Sequence, residues 1–366
     1  METRSRSPWL ALIALALSVL VVGLDATVLN VALPTLAVDL GATTTELQWI
    51  VNAYILALAG AMLPAGVLAD RIGRKRVLLI GLGALLAGSV GAAFTEHIGT
   101  LIAMRVVMGV GAAITMPVVM ALIPLMFDDA ERPKAVGLMT AAVSVGVPLG
   151  PIVGGYLLQH YTWSSIFWIN VPPVLLAIGA VLALIPESRA ETSRPLDHIG
   201  AALSVLGISA LVYGFVEAPQ AGWLALSTLG WTGLGAVALV AFVVRQARTA
   251  HPLIDLGIFR NRSFSGGTLA MALLQFVMYG LLFTLPQYLQ AVRGYDALGT
   301  GVQLIPMMAG VVVAAGASKH LLEHIGASRG TVIGSLVMAA SLFALARLTV
   351  DTDMVLIGIG LTVFGL

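Results

Sequence analysis

Eleven long apolar runs, at about 9–33, 47–68, 77–94, 100–126, 135–158, 165–185, 199–217, 227–244, 264–290, 298–317 and 330–348, take up most of this chain. Each is long enough to cross a hydrocarbon core of about 30 Å as a helix rising 1.5 Å per residue. In lipid every backbone amide must be satisfied internally, so spanning segments are helices or closed barrels. Runs this continuous lack the ten-residue alternation of a barrel strand. Charge agrees: only 10% of the residues are Asp, Glu, Lys or Arg, against roughly 25% in a soluble domain. The fold class is therefore an all-α polytopic membrane protein. The opening "METRSRSPWL" has the charged start of a secretory leader, but its apolar run is too long and too many similar runs come after it; it reads as the first spanning helix.

Lys and Arg orient the helices. If the amino terminus is cytoplasmic, 16 of the 19 basic residues fall in cytoplasmic loops, the exceptions being Arg105, Arg293 and Arg347 (19 − 3 = 16). A miscounted helix would scramble this alternation, so the bias supports both the count and a cytoplasmic amino terminus. The net charge of +1 is spread over short loops and offers no nucleic acid a basic face. The absence of cysteine excludes disulfides and thiolate metal sites.

A twelfth run, "MVLIGIGLTVFGL" (354–366), would reach only about 20 Å. The expectation is a chain whose last helices are missing. "LADRIGRKRVLLIG" (Leu68 to Gly81) recurs in weaker form as "LLEHIGASRGTVIG" (Leu321 to Gly334), 323 − 70 = 253 residues later. Parallel halves of this kind are typical of secondary transporters. The second copy falls two helices later than two six-helix halves would put it, so the seventh and eighth helices read as an insertion. The expected organisation is a six-helix half over 1–186, linkers and two inserted helices over 187–263, and an incomplete second half over 264–366.

Four motifs resemble the fourteen-helix drug/proton antiporter branch of the major facilitator superfamily. "GVLADRIGRKR" (Gly66 to Arg76) resembles the superfamily's loop motif. "RVVMGVGAA" (Arg105 to Ala113) resembles the fourth-helix motif, with Met108 where glutamine is usual. "GVPLGPIVGG" (Gly146 to Gly155) resembles the fifth-helix antiporter motif, and "LDATVLNVALP" (Leu24 to Pro34) the first-helix motif of this branch. The resemblance implies two pseudo-symmetric halves with two inserted helices, in a bacterial plasma membrane. It implies export of small, amphipathic, often cationic compounds in exchange for protons, with the lipid bilayer as surroundings and no cofactor beyond the proton gradient. A dedicated exporter of one metabolite, antibiotic or lipid-like molecule is the alternative within transport; a membrane sensor on a transporter fold is the alternative outside it. An enzyme is not expected, because no HExxH, CxxC or nucleophile-elbow pattern occurs.

An ionisable side chain in a membrane helix is costly and marks a functional position. Asp25 lies some ~12 Å from the outer end of the first helix and Arg105 some ~8 Å into the fourth. At similar depth the two can pair, and the expected role is a switch: ionised Asp25 holds Arg105 or a cationic substrate, and protonated Asp25 releases it. In the loop motif, Gly66 and Gly73 are expected to permit close helix approach and a tight turn. Asp70 is expected to accept from Arg74 or a neighbouring helix end as a conformational latch, while Arg71, Lys75 and Arg76 anchor the loop inside. Gly146, Gly150, Gly154 and Gly155, with Pro148 and Pro151, are expected to form a smooth, bent packing face on the fifth helix. Asn30, Asn52, Tyr54, Gln275, Tyr279 and Gln287 are the polar candidates, with Asp25, for a substrate cavity. Glu217 reads as a solvated rim residue, and "SSIFWINVPP" (Ser164 to Pro173) as a kinked interfacial start to the sixth helix.

Overall fold

Hydrocarbon leaves the backbone no partner but itself, and the apolar runs fold accordingly. The structure, a computed structural model, describes residues 8–188, 197–250, 252–347 and 352–366. The first five helices are α1 (Pro8–Asp39), α2 (Thr44–Ile72), α3 (Arg74–Ala93), α4 (Ile98–Met126) and α5 (Arg132–His160). A short α6 (Ser165–Trp168) and α7 (Val171–Leu184) together make the sixth spanning segment. Then come α8 (His198–Ala221), α9 (Leu226–Arg248), a 3-10 turn at Leu256–Arg260 and α10 (Arg262–Ala291). The last are α11 (Ala297–Gln303), α12 (Ile305–Ile325), α13 (Ala327–Leu345) and α14 (Met354–Gly365). Every apolar run of the sequence corresponds to one of these helices or to a joined pair. Among the described residues nine helices are long and apolar enough to cross a membrane, and a tenth if bent α2 is one span. That bend, 52°, falls just before Pro64, whose nitrogen has no hydrogen to give the helix ladder.

The chain forms two compact units. The first contains 35–147 and 163–258 together with the amino-terminal part of α1 up to Ala26. Within it α2 packs on α4, α3 on α4 and α7, and α8 on α9 and α2. The approach of α4 to α2 depends on Gly109: a β-carbon there would collide with the Tyr54 carbonyl. At the start of α8, Asp197 accepts from the Gly200 amide at 2.9 Å, from Arg245 Nε at 2.7 Å and from Gln246 Nε2 at 3.0 Å. Gln246 in turn accepts from the Leu253 amide. One buried carboxylate thus ties α8, α9 and the loop after α9 together.

The second unit contains Thr27–Pro34, Pro148–Thr162 and Phe259–Leu366. Its core is built by Leu282, Leu285 and Leu289 of α10 with Leu304, Met307, Ile357, Leu361 and Phe364. The two copies of the repeated loop share one backbone device. Gly73 between α2 and α3 has φ +116°, and Gly326 between α12 and α13 has φ +79°. In each case a single glycine, in a region that L-residues avoid, turns one helix directly into the next. The side chain of Glu323, matched to Asp70 in the repeat, lies outside the described residues.

Candidate functional site

The site is built where α2, α3, α4 and the turn between α6 and α7 meet α1. Asp25 is fully buried and Arg105 is 1% exposed. Arg105 Nη1 donates to Asp25 Oδ2 at 2.7 Å, so two residues 80 positions apart form one ion pair. The arginine is held on two further sides. Its Nε donates to the Ile50 carbonyl of α2 at 3.1 Å, and its guanidinium carbon lies 4.3 Å from the centre of the Tyr54 ring. Tyr54 is itself buried, with its hydroxyl 3.5 Å from the Val22 carbonyl of α1. The second carboxylate oxygen of Asp25 accepts from Asn170 Nδ2 at 2.9 Å, and the same nitrogen lies 3.3 Å from Ser89 Oγ on α3.

Taking two charges out of water costs several kcal/mol per ion, recovered only if they pair closely and fill their remaining hydrogen-bonding capacity. Here the aspartate has one ionic and one amide donor, and the arginine has an anion, a carbonyl and an aromatic face.

Asn170 is the residue that sequence reasoning misses. The segment around it reads as an interfacial helix start, yet Asn170 is 1% exposed and bonded to the buried carboxylate. Asn170 stands between α6 and α7, and its side chain reaches Asp25 of α1 and Ser89 of α3. Glu217 is also more engaged than a solvated rim residue, since Trp49 Nε1 lies 3.4 Å from its Oε1.

Of the cavity candidates, Tyr54 joins the ion pair. Asn52 is half-buried on α2. Asn30, 3% exposed, belongs to the second unit, as do Gln275, Tyr279 and Gln287 of α10. There Gln275 is exposed and Tyr279 half-buried, and Gln287 Nε2 donates to the Phe283 carbonyl of its own helix at 2.8 Å. A cavity of about 570 Å³ lies elsewhere in the first unit, between α2, α4, α8 and α9, with Trp49, Tyr213 and Trp231 in its wall. It is almost wholly apolar, and none of the polar candidates lines it.

The loop motif is organised around one turn. Asp70 Oδ1 accepts from Arg74 Nη2 at 2.9 Å and Nε at 3.2 Å. The turn then docks on the end of α7. The Lys75 amide donates to Glu187 Oε1 at 3.2 Å, Arg76 Nε lies 3.4 Å from Glu187 Oε2, and Lys75 Nζ donates to the Leu182 carbonyl at 2.8 Å. Glu187, absent from the sequence candidates, is the acceptor for this docking. Arg71 stays exposed. Gly73 makes the tight turn; at Gly66, which is half-buried, a β-carbon meets nothing within 4 Å among the described residues.

The fifth-helix motif packs at backbone distance. A β-carbon on Gly146 would press on the Leu20 carbonyl of α1 in the first unit. In the second unit, one on Gly154 would press on Val28, and one on Gly155 would collide with the Ala297 carbonyl of α11. Gly150 and Pro151 are buried. The helix runs unbroken through both prolines; the side chain of Pro148 lies outside the described residues.

Known proteins agree with this architecture. The chain is 34% identical over 362 residues to the tetracenomycin C resistance and export protein of Streptomyces glaucescens, covering 97% of this chain and 67% of that one. It is 35% identical over 347 residues to the methyl viologen resistance protein SmvA of Salmonella typhimurium, covering 94% of this chain and 70% of that one. It thus spans about two thirds of the length of such relatives. Among solved structures, a peptide transporter POT in complex with sulfate superposes with a TM-score of 0.71 at 16% identity, covering all of this chain and 82% of that one, a likeness of fold. The model of the Major Facilitator Superfamily matches residues 15–366, and a chain matched over nearly its whole length, with these helices and these relatives, belongs to that family of multi-pass membrane transporters.

Proposed function

We propose that the whole protein exports amphipathic, cationic drugs in exchange for protons, by alternating access between two helical halves. The observation that carries the reading is the Asp25–Arg105 pair, closed at 2.7 Å and shielded from water. Ionisable groups inside a membrane helix bundle are costly and mark functional positions. In this reading protonation of Asp25 uncouples it from Arg105 and frees the bundle to change state; deprotonation restores the pair or admits a cationic substrate in place of the arginine. The resistance named for methyl viologen in one relative supports a cationic substrate. The Lys and Arg bias supports an amino terminus in the cytoplasm. A second reading, export of one dedicated antibiotic, is favoured by the tetracenomycin C relative.

The test is Asp25→Asn in the whole protein reconstituted in proteoliposomes. An imposed proton gradient should drive movement of ethidium, an aromatic cation, in the parent protein and fail to do so in the variant, with equal amounts inserted. Gradient-driven transport at the parental rate in Asp25→Asn would overturn the proposal. A resistance profile across unrelated compounds separates the two substrate readings: protection against several favours the broad exporter, protection against one the dedicated one.

A further inference from the structure

Asn170 stands at the amino end of a helix that lacks the amides it would ordinarily cap. The first residues of α7 are Val171, Pro172 and Pro173. An asparagine in the capping position accepts from the amide of the second or third helical residue. Both of those are prolines here, and a proline nitrogen carries no hydrogen. The Asn170 side chain accordingly makes no capping bond. Its Nδ2 is committed to Asp25 and Ser89. Its Oδ1 is buried and has no hydrogen-bond partner. Buried polar atoms are nearly always paired, so an acceptor kept free beside a titratable carboxyl group points to a donor that appears in another state. The assignment of nitrogen toward Asp25 is itself dictated by chemistry, since an amide oxygen would repel the carboxylate.

Building on the proton-coupled function, we propose that Asn170 is a positioning residue that responds to the protonation of Asp25 by turning its carboxamide over. With Asp25 ionised, Nδ2 donates to the carboxylate, the arrangement seen in the structure. When a proton from water adds to Asp25, its O–H becomes a donor, and Arg105 keeps its own proton and its charge. A half-turn about χ2, a broad two-fold torsion in asparagine, exchanges Nδ2 for Oδ1, and Oδ1 accepts the new O–H. The other groups around Asp25 are poorly suited to this. Arg105 from α4 is a donor only. Tyr54 from α2 gives its ring to Arg105 and directs its hydroxyl toward the Val22 carbonyl. Ser89 from α3 meets Asn170. The amide therefore gives Asp25 a partner in both states: Nδ2 donates to the carboxylate, and Oδ1 accepts the O–H that protonation creates.

The test is infrared difference spectroscopy on acidification of the whole protein in lipid nanodiscs, with ¹³C-labelled asparagine. A carboxyl band that vanishes in Asp25→Asn should appear together with a shift of an asparagine amide band that vanishes in Asn170→Leu. An asparagine amide spectrum that stays fixed while the Asp25 carboxyl band appears would make Asn170 a static donor and end the proposal. Loss of coupled transport in Asp25→Asn with a fixed amide would sink this inference alone, whereas parental coupling in Asp25→Asn would sink the proposed function beneath it.

Discussion

Removing one member of the buried pair should cost far more than half of what removing both costs. Asp25→Leu leaves the Arg105 guanidinium charged, with the Ile50 carbonyl and the Tyr54 ring as its remaining partners. Arg105→Leu leaves a fully buried carboxyl group with only the Asn170 amide, and that group can limit its cost by taking up a proton. Breaking a buried pair from one side typically costs about 3–5 kcal/mol, so each single change is expected near the lower end, about 3 kcal/mol. The double change removes both charges and fills the space with apolar atoms. It leaves without a partner one N–H of Asn170, whose other still meets Ser89, and one side of the Ile50 carbonyl, about 1–2 kcal/mol in all. The double variant should therefore be at least about 2 kcal/mol more stable than the sum of the singles predicts, a coupling in the range found for contacting residues. Equilibrium unfolding in mixed micelles, monitored by tryptophan fluorescence, measures all four corners of the cycle. Additive losses would show that Asp25 and Arg105 do not depend on one another in the folded protein, and the switch would lose its physical basis.

The remaining predictions concern the first unit. Burial pushes the Asp197 carboxyl up, but the Gly200 amide, Arg245 and Gln246 outweigh it and hold the group below the ordinary carboxylate range. A depressed folded value contributes stability that is present above the unfolded value, near 3.8, and lost as pH falls through the lower folded value; unfolding measured from pH 6 downward should show this loss, and Asp197→Asn should flatten it. Gly109→Val would drive a side chain into the Tyr54 carbonyl, with an overpacking cost of about 1–3 kcal/mol. It should also slow ethidium transport by moving Tyr54 off Arg105, and unaltered unfolding and transport would show that α2 and α4 need not approach so closely.

Much of the fold could be read from the sequence because its cause is local. A run of apolar residues must span or be buried wherever it lies, and a glycine that leads directly into a new helix must turn the chain, as Gly73 and Gly326 do. The loop repeat survives in the backbone even where the side chains have drifted. The Asp25–Arg105 pair was legible for a different reason: charges in oil are so costly that two at similar depth are strong candidates to meet.

Asn170 and Glu187 escaped because nothing in their own neighbourhoods demands a distant partner. An asparagine is neutral and common at helix starts, and a glutamate just beyond a spanning run is ordinarily solvated. For Asn170 the signal lay in the next three residues: Pro172 and Pro173, at the second and third positions of α7, remove the donors that make asparagine useful as a cap. A capping residue with nothing to cap must either waste a buried acceptor or use its side chain elsewhere. The same logic extends to other membrane helices. Where a polar capping residue stands before a helix whose second and third residues are prolines, its side chain should be sought on a neighbouring helix, bonded to a buried polar group there.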